Sequence, residues 1–241
     1  MSRSALLNVM VSAALKAGKF LSRDFGEVQD LQVSRKGPSD FVMKSHSKCQ
    51  EIIYQELLGA RPKYGFYSGG KAYVGQDSIT RWIVDPLNGI TNFFYAIPHF
   101  CISIALERDQ EIIASVIFNP ITDELYTAER GIGSFLNDRR IRVSSRRILS
   151  NSIMSDYADE AVGVRSFGSE ALDLAYIAAG RFDGFLGKGL SIWCVAAGLL
   201  IICEAGGFAT DFLGKNMGAE TKSIISGNMP IHEQLLAIIN D

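Results

Sequence analysis

Within eight residues, Asp85-Pro86-Leu87-Asn88-Gly89-Ile90-Thr91-Asn92, the chain sets a carboxylate, two side-chain amides, a hydroxyl and a glycine turn beside one another. A carboxylate where an apolar run ends needs a cation or a hydrogen-bond network, because an unpaired buried charge is costly. Backbone N–H groups exposed at a glycine turn favour an anion, and the carboxylate favours a hard cation. Such a stretch suits the joint binding of a divalent metal and a phosphate. The competing reading is a plain turn that Asp85 caps, with Thr91 and Asn92 turning the chain and capping the next element.

The elements that must carry these groups are set by periodicity. Residues 82–85 read as a buried strand, apolar and partly β-branched, stopped by Pro86. Upstream, residues 4–25 read as an amphipathic helix, and residues 45–58 as a second one with Cys49, Ile52, Ile53 and Leu57 spaced for burial. Downstream, residues 93–105 and 111–118 alternate as antiparallel strands about a hairpin turn at 107–110, continued by 125–128 and 133–136. A helix over 169–179, a strand after Gly184 and a nearly all-apolar helix over 193–204 come next. Strands near 208–211 and 223–226 precede a terminal helix over 231–239. Alternating helices and strands around a long antiparallel run argue for layered α/β structure. The expected organisation is one domain over 1–241, with an α+β part to about residue 147 and an α/β part from about 148.

Bulk properties narrow the function classes. The chain has 241 residues, 47% hydrophobic and 21% charged, an ordinary soluble composition that can bury a large core. A net charge of −2 argues against a nucleic-acid footprint. The one locally basic segment, Arg139, Arg140, Arg142, Arg146 and Arg147, has no interleaved aromatics and reads as a solvated hairpin edge rather than a partner patch. Cys49, Cys101, Cys194 and Cys203 lack metal-type spacing and read as buried reduced thiols of a cytoplasmic protein. No signal peptide is evident, and the apolar run near the N-terminus reads as too short for a membrane span.

Two blocks carry a family resemblance. Asp85-Pro86-Leu87-Asn88-Gly89-Ile90-Thr91-Asn92-Phe93 resembles D-P-[IL]-D-G-T-T-N-F, a signature of the inositol monophosphatase family, and Trp193-Cys194-Val195-Ala196-Ala197-Gly198 resembles its other signature, W-D-x-A-A-G. Lys36-Gly37-Pro38-Ser39-Asp40, Ile97-Pro98-His99-Phe100, Asn119-Pro120, Gly168-Ser169 and Glu204-Ala205-Gly206-Gly207 extend the match over nearly the whole chain. It is most similar to the bacterial suppressor-type members. The resemblance implies an α-β-α-β-α sandwich shared with the fructose bisphosphatase superfamily, a homodimer, and magnesium-dependent hydrolysis of inositol phosphate or a related sugar phosphate. It also implies protein partners in the transcription machinery.

The same resemblance implies a degraded site. Family carboxylate positions that hold metal read Gly69, Asp85, Asn88 and Cys194 here, one carboxylate of four, beside the Leu87 backbone carbonyl. The threonine that orients the attacking water is Ile90. Phosphate positions fall on Gly89, Ile90, Thr91, Lys36, Gly168 and Ser169. His46 stands where relatives carry an aspartate and reads as a surface or capping residue at a helix start. Asp77 reads as a turn residue, and Gly187 replaces a substrate-contacting glutamate. The expectation is at most one weakly held magnesium and lost or vestigial catalysis. The alternative is an active phosphatase using His46, Asp77 or Cys194 with another metal such as zinc. Residues 148–165 are short against the family pattern.

Overall fold

The computed structural model describes residues 3–32, 38–73, 75, 77, 79–156, 161–216 and 222–240. Helix α1 (Ala5–Leu31) starts where the Ser4 hydroxyl accepts the Leu7 N–H at 3.1 Å. It runs past the expected end because Val28 is still buried on its inner face. Helix α2 (Ser39–Ala60) opens directly after Pro38, earlier than the apolar spacing predicts. A proline at a helix start forfeits only an N–H that has no intrahelical partner. Strands β1 (Gly65–Ser68) and β2 (Lys71–Tyr73) form a hairpin, followed by β3 (Thr80–Asn88) and the short helix α3 (Ile90–Phe94).

Four antiparallel strands continue the sheet: β4 (Cys101–Arg108), β5 (Glu111–Asn119), β6 (Glu124–Glu129) and β7 (Gly133–Leu136), with β8 (Arg139–Arg140) at the edge. Their order is β2-β1-β3-β4-β5-β6-β7-β8. Residues 93–100, expected as strand, instead finish α3 and form a loop, because the Asn92 side chain pins the chain to the His99 carbonyl. A second sheet, β10-β9-β11-β13-β12, is built from β9 (Ile153–Asp156), β10 (Gly163–Arg165), β11 (Gly184–Lys188), β12 (Phe208–Thr210) and β13 (Ser223–Gly227). Helices α4 (Glu170–Ala178), α5 (Ile192–Glu204) and α6 (Met229–Asn240) complete the described elements.

Strand alternation sorts the layers. On β4, Ile102, Ile104 and Leu106 join α1 and α2 in one core, while Cys101 and Ala105 join α4 and α5 in another. On β3, Trp82 and Val84 face α1 and α2, and Ile83 faces α5. A third cluster, Met154, Leu186, Ile225, Ile231 and Leu235, seats α6 on the second sheet. Helices, sheet, helices, sheet and helix thus stack in five layers, as the resemblance implied. By length and composition α1 is apolar enough to cross a membrane, against the expectation of too short a run. Its Leu7, Met10, Ala14, Ala17 and Leu21 are nevertheless buried in the first core.

The basic segment is solvated, as expected, and two of its arginines also make structural contacts. Arg142 Nη1 donates to the Glu204 carbonyl at the end of α5, and Arg146 Nε donates at 2.6 Å to the buried Asp183 carboxylate. Asp183 also accepts from the Ser144 hydroxyl and from the Ile153 N–H at 2.8 Å. All five arginines of the segment are exposed. All four cysteines are free; Cys49 and Cys101 are buried as expected, whereas Cys194 is half-buried and Cys203 is exposed.

Candidate functional site

Pro86 does not stop β3. The strand continues to Asn88 through a bulge: Asp85 pairs with Ser103 and Asn88 with Cys101, so two residues on β3 oppose one on β4. A proline has no N–H to give a ladder, and a bulge is where a strand tolerates one. The consequence is chemical. Residues three apart on a regular strand face opposite ways. The extra residue reverses that parity, and Asp85 and Asn88 meet on the same face, with Asn88 Nδ2 donating to Asp85 Oδ2 at 3.0 Å.

Gly89 comes next at φ +88, a conformation natural to glycine, and a Cβ there would lie 3.0 Å from the His99 carbonyl oxygen. It turns the chain into α3, whose Ile90 and Thr91 border a cavity of about 320 Å³. Asn92 does not cap: its Nδ2 donates at 2.6 Å to both the His99 and Phe167 carbonyls, fastening the 95–99 loop to the approach to α4. The other cavity walls are His46, Asp85, Leu87, Asn88, Gly89, Gly168, Glu170, Trp193 and Cys194. Elements far apart in sequence (α2, the β3–α3 turn, and the starts of α4 and α5) therefore supply one site.

Every expected residue but Lys36 has a definite place. His46 lies inside α2 rather than at its start, since the helix begins at Ser39, and it faces the cavity. Burial holds its pKa below the ordinary histidine value, against the opposite pull of the Asp85 charge. Asp85 is 7% exposed. Burial raises its carboxyl above the usual range, against hydrogen bonds from Asn88, Cys194 and Leu87. The Cys194 thiol is pushed up by burial and by Asp85, so it is a protonated donor rather than a thiolate ligand. Asp77 caps its turn by accepting from the Ile79 and Thr80 N–H groups at 2.9 and 3.1 Å, away from the cavity. Gly69 is not a cavity wall either. With Gly70 it forms the left-handed β1–β2 turn, φ +56 and +77, where a side chain would be strained. Gly187 sits in β11, where a Cβ would come within 2.6 Å of the Phe185 ring. Ser169 is fully buried, its hydroxyl given to Asn88 Oδ1 at 2.7 Å rather than to the cavity. Lys36 lies outside the described residues.

Sequence reasoning missed Glu170. It opens α4 directly after Gly168-Ser169, and its Oε2 accepts from Asn88 Nδ2 at 3.2 Å. An acidic residue in the first turn of a helix was the available signal. Asn88 is thereby fully engaged, because its Oδ1 also accepts the Ala171 N–H at 3.1 Å. That N–H can only donate, which fixes the orientation of the amide: its oxygen faces α4 and its two N–H bonds face Asp85 and Glu170.

The donor set does not suit a magnesium cluster. Magnesium requires near-octahedral oxygen ligands at short range. Here an amide NH2 points at the two carboxylates, one expected ligand position is a protonated thiol, and another is a bare turn. Among the described residues, no group of three or more His, Cys, Asp or Glu side chains is arranged to hold a metal ion.

Comparison with known proteins adds a lineage to this geometry. Residues 2–158 and 152–241 match the inositol monophosphatase family. An inositol-1-monophosphatase of Rhizobium meliloti (strain 1021) is 52% identical over 259 residues, covering 99% of this chain and 97% of the relative. The alignment is longer than the 241-residue chain, so the relative carries residues that this chain lacks. The Nus factor SuhB of Escherichia coli (strain K12) is 35% identical over 98% of this chain and 96% of its own length. A crystal structure of the extragenic suppressor protein suhB from Bartonella henselae superposes with a TM-score of 0.91 at 47% identity, covering 99% of this chain and 100% of that one.

Proposed function

The chain belongs to the inositol monophosphatase family, and from that premise we propose that it keeps the family scaffold while magnesium-dependent phosphomonoester hydrolysis is lost or vestigial. One observation carries the reading: the Asn88 amide directs its N–H bonds at Asp85 and Glu170, where a hydrolytic site needs cation-binding oxygens. Gly69, Cys194 and Ile90 point the same way, since none offers a carboxylate or a water-orienting hydroxyl. Losing even two well-placed electrostatic contributors lowers turnover by roughly four to six orders of magnitude. The assay is phosphate release from inositol 1-phosphate by the purified chain in magnesium. Turnover at the rate of an active relative ends the proposal.

The retained role is binding. Gly89, Ile90, Thr91 and Gly168 border the cavity and are candidates to receive a phosphate or sugar phosphate, with Lys36 a candidate source of positive charge. Two carboxylates without a cation oppose such an anion, so the expected affinity is weak. The relatives named Nus factor support protein partners in the transcription machinery, and the proposal is of a cytoplasmic protein acting as a homodimer through such contacts. Co-purification of the tagged chain with RNA polymerase tests this, against a tagged control of equal size.

A second reading has its own support. Relatives named inositol-1-monophosphatase reach 52% identity, which supports an active phosphatase that uses another metal, such as zinc, in place of magnesium. Stoichiometric zinc in the purified protein, with hydrolysis lost on its removal, would establish that reading instead.

A further inference from the structure

Two buried polar atoms, outside the cavity, face each other without bonding. His99 Nε2 and Asp173 Oδ1 lie 3.8 Å apart, and neither has a hydrogen-bond partner. An N–H···O bond spans about 2.7–3.2 Å, so the gap is too wide for one. The two side chains are 16% and 2% exposed, and leaving such groups unpaired costs stability. The other Asp173 oxygen, Oδ2, accepts from the Ser155 hydroxyl at 2.6 Å, which ties the carboxylate to β9 and leaves Oδ1 for the ring. A neutral imidazole with its proton on Nδ1 turns the lone pair of Nε2 toward that oxygen. Two acceptors then meet, and neither can bond the other. A proton on Nε2 removes the conflict and makes a charge-assisted pair, which closes to about 2.7–2.9 Å.

Such a closure acts on the loop after α3. His99 ends the 95–99 loop, whose Tyr95 and Ile97 are exposed. Its backbone stays with α3, because its carbonyl takes the Asn92 amide, and the Ile97 N–H donates to the Asn92 carbonyl at 2.8 Å. The imidazole carries the loop onto α4, packed against the Phe167 and Tyr176 rings with centroids 5.0 and 5.6 Å away. Asp173 and Tyr176 of α4 are the titratable side chains that meet it. Burial holds the Tyr176 phenol above its ordinary value, so it stays neutral where a histidine titrates. Arg181, over the Tyr176 ring, is paired with Glu124, and Phe167 brings no charge.

We propose that His99 and Asp173 form a proton-operated latch: the protonated imidazole pairs with the carboxylate and fastens the 95–99 loop to α4, and the neutral ring releases it. Neither residue is a wall of the cavity, so the latch does not rest on what the cavity binds or hydrolyses.

Hydrogen exchange and histidine NMR on the full chain, between about pH 5 and pH 8, test the proposal. The sequence has three histidines, and the His99 signal is identified by its loss in His99→Gln. In the wild type, protection factors of the Ile97 and His99 amides are expected to rise roughly tenfold toward acid, with the midpoint of the His99 ring signal. His99→Gln and Asp173→Asn should each remove that step, while the His99 ring of Asp173→Asn still takes up its proton. Protection that stays flat across the His99 titration overturns the latch, as does a ring that keeps one protonation state throughout. A step that survives in either variant belongs to another group, His46 or His232 among them, and overturns it as well. If Asp173→Asn does not fold, the wild type and His99→Gln decide the question by themselves.

Discussion

Asp85 is the residue on which the chemistry and the stability of this site pull apart. Its burial disfavours the charged form, and its folded pKa lies above the ordinary carboxylate value. A carboxyl raised in this way stabilises the fold below its unfolded pKa and loses that contribution as pH rises through the folded value. Above that folded value the ionised group is a buried charge that weakens the fold. Asp85→Asn keeps a carbonyl to accept from Asn88 and removes the buried charge, and should stabilise the chain by about 1 kcal/mol at pH 7 in urea unfolding. His232, in α6, has the opposite sign. Burial lowers its pKa, and its Nε2 lies 2.8 Å from Thr210 Oγ1. Its contribution is complete above the unfolded value of about 6.5 and is lost as pH falls through the folded value. His232→Gln should flatten that part of the acid limb when stability is measured between pH 7 and pH 5. At this scale the identities of the groups are legible in sequence, but neither Glu170 nor the inward placing of His46 is. Both depend on which helices come together.

At the scale of elements, the bulge in β3 decides most. Pro86 is legible as a break in the ladder, and taken alone it predicts a stop. The strand instead absorbs it, because a residue with no N–H is harmless where two residues face one. That local choice puts Asp85 and Asn88 on one face. The turn after it depends on Gly89, whose positive φ and proximity to the His99 and Gly168 carbonyls leave no room for a side chain. Gly89→Ala should cost roughly 1–3 kcal/mol, read as a lower denaturant midpoint with an unchanged slope. Helix boundaries are less legible than the helices themselves. Pro38 rather than apolar spacing sets the start of α2, and α1 extends until Val28 is covered.

At the scale of the whole molecule, the loop pinned by Asn92 leaves an apolar surface beside the cavity. Tyr95, Ile97 and Phe167 are 61%, 46% and 39% exposed, and the Phe167 ring packs tilted against His99 with centroids 5.0 Å apart. Large apolar side chains exposed close together mark a contact surface. Sedimentation velocity should show a dimer, and the pair Tyr95→Glu with Ile97→Asp should shift it to monomer while leaving far-UV circular dichroism unchanged. The five layers are legible through strand alternation, the apolar α5 and the two family signatures, because burial patterns are written residue by residue along the chain. That Gly69, Asn88 and Cys194 stand where the resemblance implies carboxylates is legible for the same reason: side-chain identity is a property of sequence. What only the tertiary structure decided is how the survivors are used. Asn88 and Glu170 are 82 residues apart, and they meet only because a bulge turns one toward the layer in which the other begins a helix. Hydrogen bonds act over about 3 Å, so the pairing of distant groups is fixed by packing and not by spacing along the chain.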